Sequence, residues 1–170
     1  METRRLTKMA LLTALLCVSA WISFPLPFSP VPVIALTLVA TLTGLILSPK
    51  DAFIVFLVYI LLGVIGLPVF AGGTSGIAKF WGPTGGFIIS WPFAYTLLSI
   101  CKGKSKSFLS YTWRSIVITI PVVYIFGIAG FMIVTGTPLW AAISAAMIPY
   151  LPGDIVKCVV AAWLATKIKI

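Results

Sequence analysis

Six apolar segments, at residues 9–24, 34–47, 52–67, 85–101, 115–135 and 153–166, occupy more than half of this 170-residue chain. Hydrophobic residues make up 61% of it and charged residues only 9%, where a soluble domain carries about 25% charge. In the interior of a bilayer every backbone polar group must find its partner within the protein. The length suits one compact bundle of helices, a single domain over residues 1–170. The expected architecture is therefore an all-α integral membrane protein with six transmembrane helices. Several segments fall short of the ~20 residues that cross a hydrocarbon core, so flanking residues are expected to extend them.

Charge sets the orientation. The basic residues cluster between the apolar runs: Arg4, Arg5 and Lys8; Lys50; Lys102, Lys104, Lys106 and Arg114; Lys167 and Lys169. With both termini in the cytoplasm, ten of the twelve Lys and Arg residues lie inside, and only Lys79 and Lys157 lie toward the outer half. This is the positive-inside pattern, and anionic lipid accounts for the net charge of +9 without nucleic acid. The start of the chain, with Arg4, Arg5, an apolar run and Val18-Ser19-Ala20, has the outline of a signal peptide. Five further spans follow, so the first segment reads as an uncleaved helix.

Catalytic and metal chemistry have little to work with. Histidine is absent, and Cys17, Cys101 and Cys158 are scattered with no paired spacing. Gly103-Lys104-Ser105 has the ending of a phosphate-binding loop, but Leu98 stands where its first glycine belongs and no strand precedes it. Energy for any transport must come from a partner or a gradient, and no cofactor is expected.

Two stretches depart from simple spans. Residues 139–148, between Pro138 and Pro149, are too few to cross and read as a re-entrant half-helix entering from the outer face. It is expected to break at Pro149 to Pro152 and hand over to the last helix. There Pro152-Gly153-Asp154-Ile155-Val156-Lys157 places an acid and a base at i and i+3, on one helical face. Ionisable groups at membrane depth mark polar-ligand sites by default. The bland alternatives are an N-terminal cap and a self-satisfied ion pair; the expectation is ligand contact by Asp154 and Lys157, with capping as an added role.

The second stretch is the outer loop from Gly66 to Gly86. Six glycines between Gly72 and Gly86 allow close backbone approach, and free N–H groups there could form an anion-accepting concavity. Lys79 is its single charge, beside Phe80 and Trp81. Phe70, Phe80 and Trp81 are candidates to pack on a flat or bicyclic ligand, whereas Trp91, within a span, reads as bundle packing. Ala10 and Ala14, one helical turn apart in the first span, form a small-residue pair that lets a neighbouring helix approach.

Taken together these residues resemble the biotin-specific substrate-binding (S) subunits of energy-coupling factor (ECF) transporters, the BioY family. The likeness runs through Ser29-Pro30-Val31-Pro32, through Gly63-Val64-Ile65-Gly66-Leu67-Pro68-Val69-Phe70-Ala71-Gly72-Gly73 into Gly82-Pro83-Thr84-Gly85-Gly86, and through Pro152 to Lys157, with Ala10 and Ala14 in the first helix. It covers essentially the whole chain in order. The resemblance implies a prokaryotic, multi-pass cell-membrane protein of six helices that binds biotin near the outer face. It implies that Ala10 and Ala14 face a transmembrane coupling subunit joined to two ATPase subunits. It also implies a pocket lined by Asp154 and Lys157 under the glycine loop, with Lys79, Gly72, Gly73, Thr74, Phe70, Trp81 and Thr84 as further substrate-binding candidates. Ala35 departs from the pattern, since similar proteins usually carry a polar residue there.

The chemistry of biotin suits such a site. Its ureido ring offers two N–H donors and an oxygen, its other end a carboxylate, and the middle is apolar. Asp154 is the intramembrane acid able to accept N–H bonds, and Lys157 and Lys79 are the outer-half cations. The residues leave open which base meets which end. The competing readings are an S subunit for another vitamin, such as thiamine or riboflavin, an autonomous vitamin transporter, and an intramembrane enzyme, which is not expected.

Overall fold

A computed structural model describes residues 2–103 and 106–168. Lys104 and Ser105 of the loop motif, and Lys169 of the terminal basic cluster, lie outside them. Among the described residues there are seven α-helices and one two-stranded hairpin.

The first helix, α1 (Glu2–Ser19), buries a stripe at Leu12, Leu16 and Ser19 and leaves Leu11, Leu15 and Val18 bare. That spacing is one helical face. The chain then meets Pro25, Pro27, Pro30 and Pro32. Proline fixes φ, removes a donor and pushes the residue before it into extended conformation, so no helix can form. The segment instead makes β1 (Ser23–Leu26) and β2 (Ser29–Ile34), antiparallel, with Ser23 opposite Ile34 and Leu26 opposite Ser29. The described residues are mostly helical, as expected from sequence; this proline-rich hairpin is an addition to the all-α expectation.

Two short-linked helices follow, α2 (Leu36–Ile46) and α3 (Pro49–Val64). Ser48 caps α3 by accepting from the Asp51 N–H at 3.3 Å, and Pro49 opens it, an arrangement that suits an N-terminus. Asp51 therefore sits in the first turn of α3. It accepts from the Arg5 guanidinium, with Nε at 2.8 Å, which ties the start of α1 to the start of α3.

Next come α4 (Gly85–Cys101) and α5 (Phe108–Thr135), whose backbones touch. A Cβ at Gly130 would stand 2.8 Å from the Cα of Gly86. Small residues let helices approach this closely where lipid gives no hydrophobic drive for association. At its far end α4 clasps α2: Ser99 Oγ donates to the Leu47 carbonyl at 2.6 Å, and Lys102 Nζ donates to the Leu47 and Gly44 carbonyls. These are otherwise orphaned acceptors at a helix end. Buried Thr41, Thr43, Ser115 and Thr119 satisfy their hydroxyls on carbonyls four residues back in their own helices.

The last two helices, α6 (Leu139–Ala146) and α7 (Leu151–Lys167), meet at a bend of 50°. The break falls at residues 147–150, so helix resumes before Pro152, earlier than the expected break at Pro149 to Pro152. Pro152 needs no N–H in the first turn and is accommodated there. Among the described residues, by length and composition, α5 alone could cross a bilayer, and α6 with α7 could do so as one bent unit; α2 and α4 are shorter apolar helices.

The clasp and the glycine contact each carry an expected outcome. Gly130→Leu overpacks the α4–α5 seam, which typically costs about 1–3 kcal/mol, and the purified variant should melt below the parent. Burial, and then Lys106 nearby, lower the Lys102 ammonium to about 8. Lysine free in an unfolded chain titrates near ~10.4, so between these values the unfolded state binds more protons. Apparent melting temperature should therefore rise as pH increases from about 8 to about 10. Lys102→Met should flatten that slope.

Candidate functional site

Where the hairpin, the outer loop and α4 to α7 converge they enclose a cavity of about 680 Å³, within the ~300–1,000 Å³ range of small-molecule sites. Its wall is mainly apolar: Val31 and Val33 from β2, Phe87, Ile88 and Trp91 from α4, Val123 from α5 and Ala146 from α6. Its charged groups fall in two places: Asp154 and Lys157 stand with Tyr124, and Lys79 comes from the loop with Thr74, Ser75 and Thr84; Ser23, Ser29, Thr37 and Tyr150 add hydroxyls elsewhere.

The acid and base lie on one turn of α7 with only 19% and 17% of their side chains exposed. Lys157 Nζ donates to Asp154 Oδ1 at 3.0 Å, and the Tyr124 hydroxyl donates to Oδ2 at 2.6 Å. Neither carboxylate oxygen caps the helix: the residue before α7 is Tyr150, and no side chain caps that end. The expected capping role is thus corrected, because a side chain turned toward α5 cannot also fold back onto its own N-terminus. The ion pair forms, and it forms at the cavity wall. A paired and hydrogen-bonded charge is the state in which a carboxylate can persist away from water.

The loop between α3 and α4 is held by aromatic packing and backbone bonds. Phe70 is 1% exposed, with the rings of Tyr59 and Phe80 each at 6.0 Å centroid distance. Gly63 leaves room for the Phe70 ring, since a Cβ there would occupy the same space. The Tyr59 hydroxyl donates to the Val69 carbonyl at 2.5 Å. Gly72 and Gly73 are both left-handed, with φ of 71° and 72°, a conformation costly for residues with a Cβ. Their turn closes through Phe70 N–H to the Thr74 carbonyl at 2.8 Å.

An anion-accepting concavity does not form at that turn. The N–H of Gly72 donates to Ala20, those of Gly73 and Thr74 to Phe70, and that of Gly76 to Gly63. A loop tied down to α1 and α3 has spent these donors on its own folding. A 3-10 turn (Ile77–Trp81) then carries Lys79 to the cavity.

Of the residues singled out from sequence, Asp154, Lys157, Lys79, Gly72, Thr74, Phe70 and Thr84 line one cavity. Gly73 shapes the turn behind the wall and faces the Trp21 ring. Trp81 is 78% exposed and stands off the cavity, and Phe80 backs Phe70. Trp91, read from sequence as bundle packing, does pack against Tyr59 at 5.8 Å but also lines the wall.

The main omissions from the sequence reading are Tyr124 and Tyr150. Tyr150 donates to the Val31 carbonyl, fixing the α6–α7 break to the hairpin. A tyrosine inside an apolar run was the available signal, because its hydroxyl must find a partner when buried. Ala10 and Ala14 are exposed on α1, on a surface that also presents Leu11, Leu15 and Val18.

Comparison with known proteins places this geometry. The family model described as "BioY family" matches residues 1–170. The "Probable biotin transporter BioY" of Bacillus subtilis is 36% identical over 162 residues, covering 94% of this chain and 87% of that protein. The "Biotin transporter BioY" of Thermotoga maritima is 33% identical over 168 residues, covering 98% and 96%. A crystal structure at 2.1 Å of the S-component for biotin from an ECF-type ABC transporter superposes with a TM-score of 0.90 at 26% identity, covering 98% of this chain and 90% of that one. On the match along its full length and on these relatives, the chain belongs to the BioY family.

Proposed function

We propose that this chain is the biotin-binding membrane subunit of an ECF-type importer, capturing biotin in the cavity beneath the glycine loop and releasing it to the cytoplasm. The carrying observation is a cavity of about 680 Å³ whose polar groups centre on a carboxylate–ammonium pair. The family membership and the likeness to a biotin S-component support the choice of ligand. Within the wall, Asp154 and Lys157 meet one polar end of biotin and Lys79 the other. Phe70, Phe87 and Trp91 pack on the apolar middle. Gly72, Thr74 and Thr84 supply loop surface over it. The reaction is binding and translocation, with no bond made.

Six crossings by α1, α2, α3, α4, α5 and the bent α6–α7 unit fit the distribution of charge. Arg5, Asp51, Ser48 and Lys102 come together around the α2–α3 turn. Lys79 and Lys157 sit at the cavity instead. With the basic end in the cytoplasm, both termini lie inside and the cavity opens outward. The exposed Ala10 and Ala14 would then meet a transmembrane coupling subunit, itself joined to two ATPases, while the remaining outer faces contact lipid.

Two measurements test this reading. Asp154→Ala leaves Lys157 without its counter-ion, a change that costs about 3–5 kcal/mol when the charge is buried. Calorimetry should find biotin binding weakened by about two to four orders of magnitude. Wild-type affinity in the variant, or wild-type preference for thiamine or riboflavin over biotin, would contradict the assignment. The double change Ala10→Leu with Ala14→Leu should leave biotin affinity within about twofold, because neither residue reaches the cavity, yet abolish uptake by vesicles that also hold the coupling and ATPase subunits. Unchanged uptake would remove that face from the partner contact.

A further inference from the structure

Tyr124 is 5% exposed, lines the main cavity, and is fixed by its ring as well as its hydroxyl. The Phe87 ring stands edge-on at 6.1 Å, and Oη lies 2.6 Å from Asp154 Oδ2. A carboxylate can only accept, so the single phenolic proton is committed to Asp154. The oxygen is left with lone pairs alone to show to a ligand. Asp154 is similarly constrained, with Oδ2 engaged by Tyr124 and Oδ1 by Lys157. One wall of the cavity is thus an acceptor surface two residues wide, with a cation at its edge.

We propose that Tyr124 is a ligand-recognition residue whose hydroxyl, donating to Asp154, accepts one N–H of the bound ligand and so selects for a cyclic urea that brings two N–H donors. This rests on biotin being the ligand. In a five-membered urea the two N–H bonds diverge from the ring, so a single carboxylate cannot take both. Two acceptors on neighbouring helices can, Asp154 from α7 and Tyr124 from α5. The same arrangement turns away a carbonyl or carboxylate oxygen, because such a group meets lone pairs on both residues. The urea oxygen is then left to a cation.

The test compares Tyr124→Phe with the parent in the full chain, purified in lipid nanodiscs. The two are titrated with biotin and with two analogues bearing a methyl on one or the other ureido nitrogen. Biotin should bind the variant at least tenfold more weakly. For the analogue whose methyl replaces the N–H that meets Tyr124, parent and variant should agree within about twofold, since that bond is already missing. Unchanged biotin affinity, or an equal loss for biotin and both analogues, would overturn the proposal. If Tyr124→Phe does not fold, 3-fluorotyrosine at position 124 nearly keeps the shape and stays protonated beside Asp154 while weakening the oxygen as an acceptor, and biotin binding should again fall; unchanged affinity there overturns it as well. A parent protein that binds no biotin would instead defeat the ligand assignment on which this rests.

Discussion

The site depends on giving a carboxylate its partners away from bulk water. Asp154 is given two donors, Lys157 from its own helix and Tyr124 from α5, and is mostly covered by its surroundings. Removing Lys157 would leave the carboxylate's charge uncompensated and removing Tyr124 would leave Oδ2 short of a donor, in a poorly solvated wall where a lost partner costs more than at a surface. Much of the nearby architecture serves that arrangement. The break at residues 147–150 delivers the first turn of α7 to the cavity. Tyr150 anchors the break to the hairpin, and Phe87 packs against the ring of Tyr124.

The opposite wall is organised by a different economy. Its glycines shape the backbone and its aromatic residues hold it down, so Phe70 sits over Gly63 while Gly72 and Gly73 reverse the chain. The N–H groups of Gly72, Gly73, Thr74 and Gly76 are consumed internally, so at the glycine turn this wall is a shaped cover, and its one charged side chain at the cavity is Lys79. On the proposed reading, chemical discrimination falls on α5 and α7, and shape on the loop. The basic end of the bundle is stitched separately, by Arg5 with Asp51 and by Lys102 with the end of α2.

Legibility in the sequence followed the length scale of each interaction. The span of α4 was readable to the residue because Gly85 and the Lys102 cluster bound a mostly apolar run without charge. Asp154 and Lys157 were readable because charge in an oily chain stands out. The hairpin was hidden: its prolines announce an absence of helix, but strand pairing between Ser23 and Ile34 is a contact across eleven positions. Trp81 stands exposed off the cavity, and Trp91 lines the wall besides packing in the bundle, since a position in a loop or a span does not fix which way an indole points. Tyr124 lies thirty positions before Asp154, and no local pattern connects two such residues. The BioY likeness supplied the ligand class, which neither volume nor polarity could have named.

The most direct test is a structure of the purified protein with biotin bound. The account predicts biotin in the cavity between the glycine loop and α7, with a polar end within hydrogen-bonding distance of the Asp154 carboxylate and the ring system against Phe87 or Trp91. Biotin bound elsewhere, or Asp154 turned toward acyl chains with the cavity vacant, would contradict it.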